Sequence, residues 1–304
     1  MVDAPELAGD VGSLLQKAGR YVVRYEQAFR NVAAEERYAQ RTSLVSNDPR
    51  SGRQPGDGPQ PGERMRSEVV FTMLPGAVPW TLLRDVLEVD GRVRREAGRL
   101  EPLFRLSPSA GLREAEAIAR ESERLILGPT TRTLNVPTMA LACLHPDNRD
   151  AFKFDRKGRD EVGGRATVEI EFEEVGRPTL NQDGAGGDVP IRGRFWIRES
   201  DGAVVRSRTE LAFAAAGAPQ GSMAVTTEYG GDSGLGLLVP LEMIEVLEWR
   251  TEQARRVASS GPASQRALHA FSGAAPPLDV FVHGSIEGRA RYSGFRRIDT
   301  QGAR

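Results

Sequence analysis

The residues able to do chemistry are few. The histidines are His145, His269 and His283. None stands in the HxH, HExxH or HxxE spacing that presents two ligands to one metal ion. His145 precedes Pro146 at the end of a short apolar run, where a C-terminal helix-capping role is expected. His283 follows Asp279 in a β-type run, as a surface strand residue. A hydrolase would need His283 and a carboxylate within hydrogen-bond reach inside a pocket. Cys143 is the only cysteine, which rules out an internal disulfide or a cysteine metal cluster. Set in MALACLH, it reads as a buried, inert small hydrophobe. The glycine cluster GAGGD (184–188) lacks both GxGxxG spacing and a following Lys-Ser/Thr, so it reads as a loop and not as a phosphate cradle. There is no GxSxG. Carboxylates are abundant but follow no pattern that pairs two of them for acid–base work. The residues point to no catalytic step, no metal and no cofactor.

The elements that would position such residues come next. The chain has 304 residues, 39% of them hydrophobic and 27% charged, within the range of globular domains. The 41 Lys+Arg nearly cancel the 42 Asp+Glu, leaving a formal charge of -1. That balance gives no field for nucleic acid or an anionic membrane surface. Lys17, Lys153 and Lys157 are the only lysines, a bias toward arginine attributed to coding composition. No window approaches ~18 consecutive apolar residues, so no transmembrane helix is expected.

Residues 11–32 carry an apolar stripe at three- and four-residue steps, from Val11, Leu14 and Leu15 through Tyr25 and Phe29 to Val32, with Asp10 as N-cap. This predicts an amphipathic helix packed on the chain's own sheet. Strands are predicted over 32–43, 66–74 and 82–95, the last bending at Asp90-Gly91. A second helix is expected over 111–127 and a short third one from Asn135 and Pro137 through MALACLH. From 151 onward the pattern is mainly β: a strand and turn at KFDRKG, then strands at 165–176, 193–211, 223–229 and 237–250. Pro240 is expected to break the last of these, with a helical turn after it as the alternative, and one or two closing strands follow from 280. Residues 46–64 and 251–278 read as loops. The reading is a single α+β domain over 10–300, mainly antiparallel β. Its sheet is a strongly curved, incomplete barrel (half-barrel), with the N-terminal helix and a few short helices packed on its concave side.

Three successive strands have one apolar and one charged side. GRFWIRESDGAVVRSRTEL (193–211) is a hairpin about Asp201-Gly202. Its arginines are expected to meet the glutamates of 165–176 across strands on a solvated outer face, with Trp196 on the outside. The apolar side gathers Phe172, Phe195, Ile197, Leu211, Phe213, Met223, Val225 and Met243. If the helices fill this concavity, these residues are core; if not, they line a groove for a hydrophobic ligand.

The chain also resembles the half-barrel carriers of bacterial lipoprotein sorting, the LolA-like fold, and large exported bacterial proteins of that plan. The likeness rests on an amphipathic first helix followed by NVAAEERYAQ, on the hairpin GRFWIRESDG from Gly193 to Gly202, and on the end strand from Gly288 through Ala290 and Tyr292 to Phe295. The resemblance implies a periplasmic or secreted, non-enzymatic envelope protein whose concave face binds an acyl chain, a lipid or a lipoprotein under a helical lid. The alternative reading is a structural module with a filled core that meets an envelope protein partner. The start, MVDAPELAGD, shows no basic n-region or apolar h-region, which beside an exported family implies a trimmed or misassigned start.

Overall fold

The computed structural model describes residues 4–46, 63–73, 80–123, 136–182, 186–213, 220–254 and 279–298. The expected loops 46–64 and 251–278 fall mostly outside these residues, as does His269. Helix α1 (Ala4–Phe29) leads into strand β1 (Val32–Ser46), β2 (Glu63–Thr72), β3 (Thr81–Val89) and the two-residue β4 (Arg92–Val93). A 3-10 segment (Glu101–Arg105), helix α2 (Pro108–Glu123) and a second 3-10 segment (Met139–Leu144) follow. Strands β5 (Phe152–Val162), β6 (Arg165–Glu174), β7 (Ile191–Ile197), β8 (Val204–Phe213), β9 (Gln220–Asp232), β10 (Leu237–Ala254) and β11 (Asp279–Arg297) complete the chain.

The strands form one curved, unclosed 11-stranded sheet in the order β4-β3-β2-β1-β11-β10-β9-β8-β7-β6-β5, antiparallel throughout. Two meanders are thus joined where the first strand pairs the last, from Val32 opposite Arg297 to Ser46 opposite Val282. An open sheet leaves two edges that invite pairing with other chains. On the β3 side, Leu87 O accepts from Arg94 N and Arg95 N, and the Ser122 hydroxyl of α2 donates to Arg84 O at 2.8 Å. The β5 edge is instead studded with Lys153, Asp155, Lys157, Arg159 and Glu161, and carries a register shift between Arg156 and Gly158.

Strand alternation decides which face each element covers. On the inner face, registered neighbours form rows across the sheet, such as Met65, Tyr38, Ala290, Met243, Thr227, Ser207, Phe195 and Ile170. Helix α1 lays Leu14, Leu15, Ala18, Val22, Tyr25 and Phe29 against this face, and all are buried in one cluster with it. The wholly buried 3-10 segment joins the same cluster. Helix α2 does not. It packs Ala115 and Ile118 with Ala33, Val70 and Leu83, in a separate cluster. Val70 lies one residue from Val69 and Phe71, which belong to the inner cluster, so α2 covers the opposite face. The expectation that the short helices sit on the concave side is corrected for α2.

Other expectations shift for local reasons. Asp10 is inside α1 and not its cap. The helix stops at Phe29 because Asn31 turns the chain with φ +57°. β5 runs through KFDRKG to a turn at Gly163 and Gly164, both at positive φ. β10 passes through Pro240: its register against β9 shifts between Pro240 and Glu242, and pairing with β11 starts only at Glu242. The proline therefore sits where just one neighbour pairs, and a bulge, not a helical turn, absorbs it. The third short helix is a 3-10 segment, and 280–297 is one strand.

Buried polar groups line the inner face beside the seam between the meanders. Glu36 is fully buried and receives a bidentate pair from Arg84, Nε–Oε2 2.5 Å and Nη2–Oε1 2.8 Å. Burial alone would lower the Arg84 pKa; the charge and hydrogen bonds of Glu36, with Tyr292 and Tyr38 beside it, together outweigh burial and hold the guanidinium above its ordinary value. Beside it, Tyr38 donates its hydroxyl to the buried Glu245. Gly288 makes room, since a Cβ there would lie 2.3 Å from the Tyr38 hydroxyl. Arg84→Ala leaves Glu36 as an uncompensated buried charge and is expected to cost about 3–5 kcal/mol in urea unfolding. Glu36→Gln combined with Arg84→Met removes both charges and should recover most of that loss.

Candidate functional site

The eight apolar residues read from strand alternation do come together. Phe172, Phe195, Ile197, Leu211, Met223, Val225 and Met243 are buried, and Phe213 is partly buried at the rim. Phe172 and Phe195 stack with centroids 4.6 Å apart and planes at 21°. Gly193, opposite Phe172, is glycine because a Cβ would meet the Phe172 ring at 2.9 Å and Arg208 O closer still. Thr209, Ser207 and Thr227 share the inner face and are also buried. Their small side chains leave depth for the 3-10 segment, and just before it the Pro137 carbonyl accepts the Tyr229 hydroxyl at 2.6 Å.

The hairpin that dominates the sequence supports α1. Gly202 has φ +77°, and a Cβ there would lie 2.4 Å from the Lys17 carbonyl carbon. Lys17 Nζ donates to Glu199 O at 2.9 Å. Only glycine allows both the turn and this approach. On the other side of α1, Gly19 faces Leu144 O and Pro146, while His145 Nε2 lies 3.5 Å from Glu26 Oε2. His145 Nδ1 accepts from Asp147 N at 3.2 Å. The expected capping role thus belongs to the backbone, His145 N to Ala142 O at 3.2 Å, and the ring ties to α1 instead.

The outer face carries the charge. Arg194 meets Glu169 at 2.8 Å and Glu171 at 3.5 Å, and Arg206 meets Glu228 at 2.5 Å. Arg192 and Arg208 share Glu210 at 3.4 and 2.9 Å. Trp196 lies outside, donating Nε1 to Asp160 at 2.9 Å beneath the Arg206 guanidinium. Two adjoining hollows of about 730 and 860 Å³ run over this face. Arg192, Arg208 and Glu210 border both, and Ala212, Ser222 and Ala224 line the second.

Cys143 is fully buried, and burial pushes its thiol well above the ordinary range. His283 is exposed on β11 opposite Arg250. Of GAGGD, Asp188 anchors a loop by accepting from Thr179 N and Oγ1; residues 184 and 185 lie outside the described residues. Among the described residues no group of three or more His, Cys, Asp or Glu is arranged to hold a metal ion. No described helix is long and apolar enough to cross a membrane. Sequence reading missed Glu36, Arg84, Tyr38, Glu245 and Tyr292. The signal was present: Glu36 shares parity with Ala34 and Tyr38, and Glu245 with Met243 and Leu247.

No protein-family model matches the sequence, and no curated protein does. Among solved structures the chain is similar to an outer membrane lipoprotein-sorting protein domain from Vibrio parahaemolyticus, with 8% identity, 93% of this chain and 92% of that one covered, and a TM-score of 0.35. It is also similar to a DUF1329 family protein from Desulfovibrio piger, with 10% identity, 94% of each chain covered and a TM-score of 0.32. A chain of the Pseudomonas aeruginosa MucA/MucB complex matches with 9% identity, 93% and 99% covered, and a TM-score of 0.21. The lipoprotein-sorting family that the sequence resembles is thus among the solved structures found.

The α1 seam gives a pH signature. Burial raises the Glu26 carboxyl above the usual range, against the pull of His145 and Arg30 and with a small push from Asp147. A carboxyl raised on folding binds its proton more tightly in the native state. Its contribution is therefore full below the unfolded pKa and declines as pH rises through the folded one. Glu26→Gln should flatten unfolding free energy against pH over that window, measured by urea denaturation from pH 4 to 7.

Proposed function

We propose that the protein is a non-enzymatic interaction module of the cell envelope. Its inner face serves as core, and its outer face over β6–β10 meets a protein partner. The observation that carries this reading is the sealing of the inner face. Seven of its eight expected ligand contacts are buried in one cluster with α1 and the 3-10 segment. The outer face of the same strands holds the two open hollows. Its ion pairs are exposed and contribute little to stability, roughly 0–1 kcal/mol each, so they are free to re-pair with a partner. The envelope setting and periplasmic or secreted location rest on the sequence resemblance.

A second reading keeps Phe172, Phe195, Ile197, Leu211, Phe213, Met223, Val225 and Met243 as the contacts of an acyl chain that replaces α1. It is favoured by the short turn at Asn31 that joins α1 to β1 and could act as its hinge. Lifting α1 exposes six apolar side chains at about 1.5–3 kcal/mol each, on the order of 10 kcal/mol. An acyl chain of ~14 methylenes returns about 0.8 kcal/mol per group, a similar sum.

Titration with a fluorescent fatty acid, alongside organic extraction and native mass spectrometry, separates the two. The core reading expects no co-purified lipid and no saturable binding, for the wild type and for Gly202→Ala, which loosens the α1 contact. Saturable binding that Phe172→Asp abolishes while the fold survives would establish the carrier.

A further inference from the structure

The outward positions of β6 and β7 are charged, with Glu169, Glu171 and Glu173 beside Arg192 and Arg194. The block next to them is not. On β8, β9 and β10 the outward residues Ala212, Ser222, Ala224, Thr226, Ile244 and Val246 surround the hollow of about 860 Å³. Register fixes the arrangement: Val246 and Glu210 flank Ala224, while Ile244 and Arg208 flank Thr226. β9 is thus a floor of short side chains, with an apolar wall on β10 and a charged wall on β8. Val246 stands 38% exposed on that apolar wall. Given the outer-face docking read above, on which this inference rests, we propose that the trough receives an amphipathic helix of a partner protein. The helix lies along β9 and sets large apolar side chains between the walls.

The backbone decides for a helix over an extended segment. β9 is paired to β8 on one side and to β10 on the other, so the floor offers no free backbone group. An extended segment would lay its own N–H and C=O groups on this floor with nothing beneath to bond them, whereas a helix satisfies its own. The dimensions agree. β8 and β10 lie two strand spacings apart, roughly 10 Å, and a helix with its side chains is about 10–12 Å across. From Ser222 to Thr226 the floor runs about 14 Å, the rise of roughly nine helical residues.

The chain itself sets a helix on this face of the sheet. α2 packs Ala115 and Ile118 on Ala33, Val70 and Leu83 of the first meander. Glu121 of the same helix pairs with Arg95 and Arg99 along its flank. The trough is the uncovered apolar block on the same face of the second meander. Its floor is smaller than the one under α2, so here the visiting helix has to bring the bulk, as Leu, Ile or Phe at i, i+3, i+4 and i+7. The rim carries both signs, Arg192 and Arg208 with Glu210 and Glu248, so shape and apolar burial select the helix and net charge does not.

Fluorescence anisotropy of the full chain with a labelled helical peptide, leucines at those four spacings and Glu and Lys elsewhere, tests the site. The peptide should bind saturably and gain helix content by circular dichroism. The same peptide with a central proline, or with serines for leucines, should not bind. Ala224→Arg, which fills the trough, and Val246→Ser, which strips its wall, should each weaken binding at least tenfold at an unchanged melting temperature. Trp196→Ala, elsewhere on the outer face, should leave binding unchanged. No binding by the leucine peptide, equal binding by the proline peptide, or full binding by both trough variants would overturn the proposal. Benzophenone crosslinkers replacing Ala224 or Trp196, activated in the cells that make the protein, separate this from the outer-face reading. Crosslinks at position 224 to a segment with helical apolar spacing support the helix. Crosslinks at position 196 alone overturn the helix and keep the docking face, and crosslinks at neither overturn both.

Discussion

Helix α1 bears on the inner face of an unclosed sheet, and the rest of the structure is arranged around that contact. A sheet that does not close on itself leaves one broad apolar surface that water must be kept from. One amphipathic helix supplies much of the cover. Its buried side chains are worth on the order of 10 kcal/mol, comparable with the entire net stability of a typical domain. The neighbouring devices serve the contact. Gly202 lets a hairpin touch the α1 backbone, Gly19 lets the helix approach Leu144 O, and Arg297 donates to Ala28 O at its last turn. The 3-10 segment fills what the helix does not reach, and for that reason its six residues are all buried.

The second constraint is electrostatic. The two meanders meet where β1 pairs β11, and there the inner face is not apolar. Glu36 and Arg84 neutralise each other across β1 and β3, and Tyr38 reaches Glu245 across β1 and β10. Burial raises the Tyr292 hydroxyl, reinforced by Glu36, so the phenol stays neutral beside them. A buried pair of this kind is poor at adding stability but strongly disfavours registers that separate its members. Glu36–Arg84 thereby fixes β1 against β3 within the first meander, while the Tyr38–Glu245 bond reaches across β11 to tie the two meanders together.

Much of this was legible in residue order. Alternation of Val168, Ile170 and Phe172 against Glu169, Glu171 and Glu173 set both faces of β6, and the outer Glu–Arg pairs followed from it. The α1 stripe was equally plain. What alternation could not convey was which face α2 would take. Its buried apolar residues, Ala115 and Ile118, are too few to indicate more than a partner of some kind, and Val70 and Val69 offer one to each face. Pro240 misled because a local rule about strand interiors ignores which neighbour is missing. Glu36 and Glu245 drew no reading because nothing local names Arg84 and Tyr38 as partners.

The central claim is that the inner face is core, held shut by α1 as part of one cooperative unit. Hydrogen–deuterium exchange of the full chain, read peptide by peptide, tests it directly. The account predicts that the amides of 14–29 exchange as slowly as those of β7, β8 and β10, through global unfolding alone. Rapid exchange of α1 while the central strands stay protected would contradict it, and would mark the helix as a lid that opens over a binding groove.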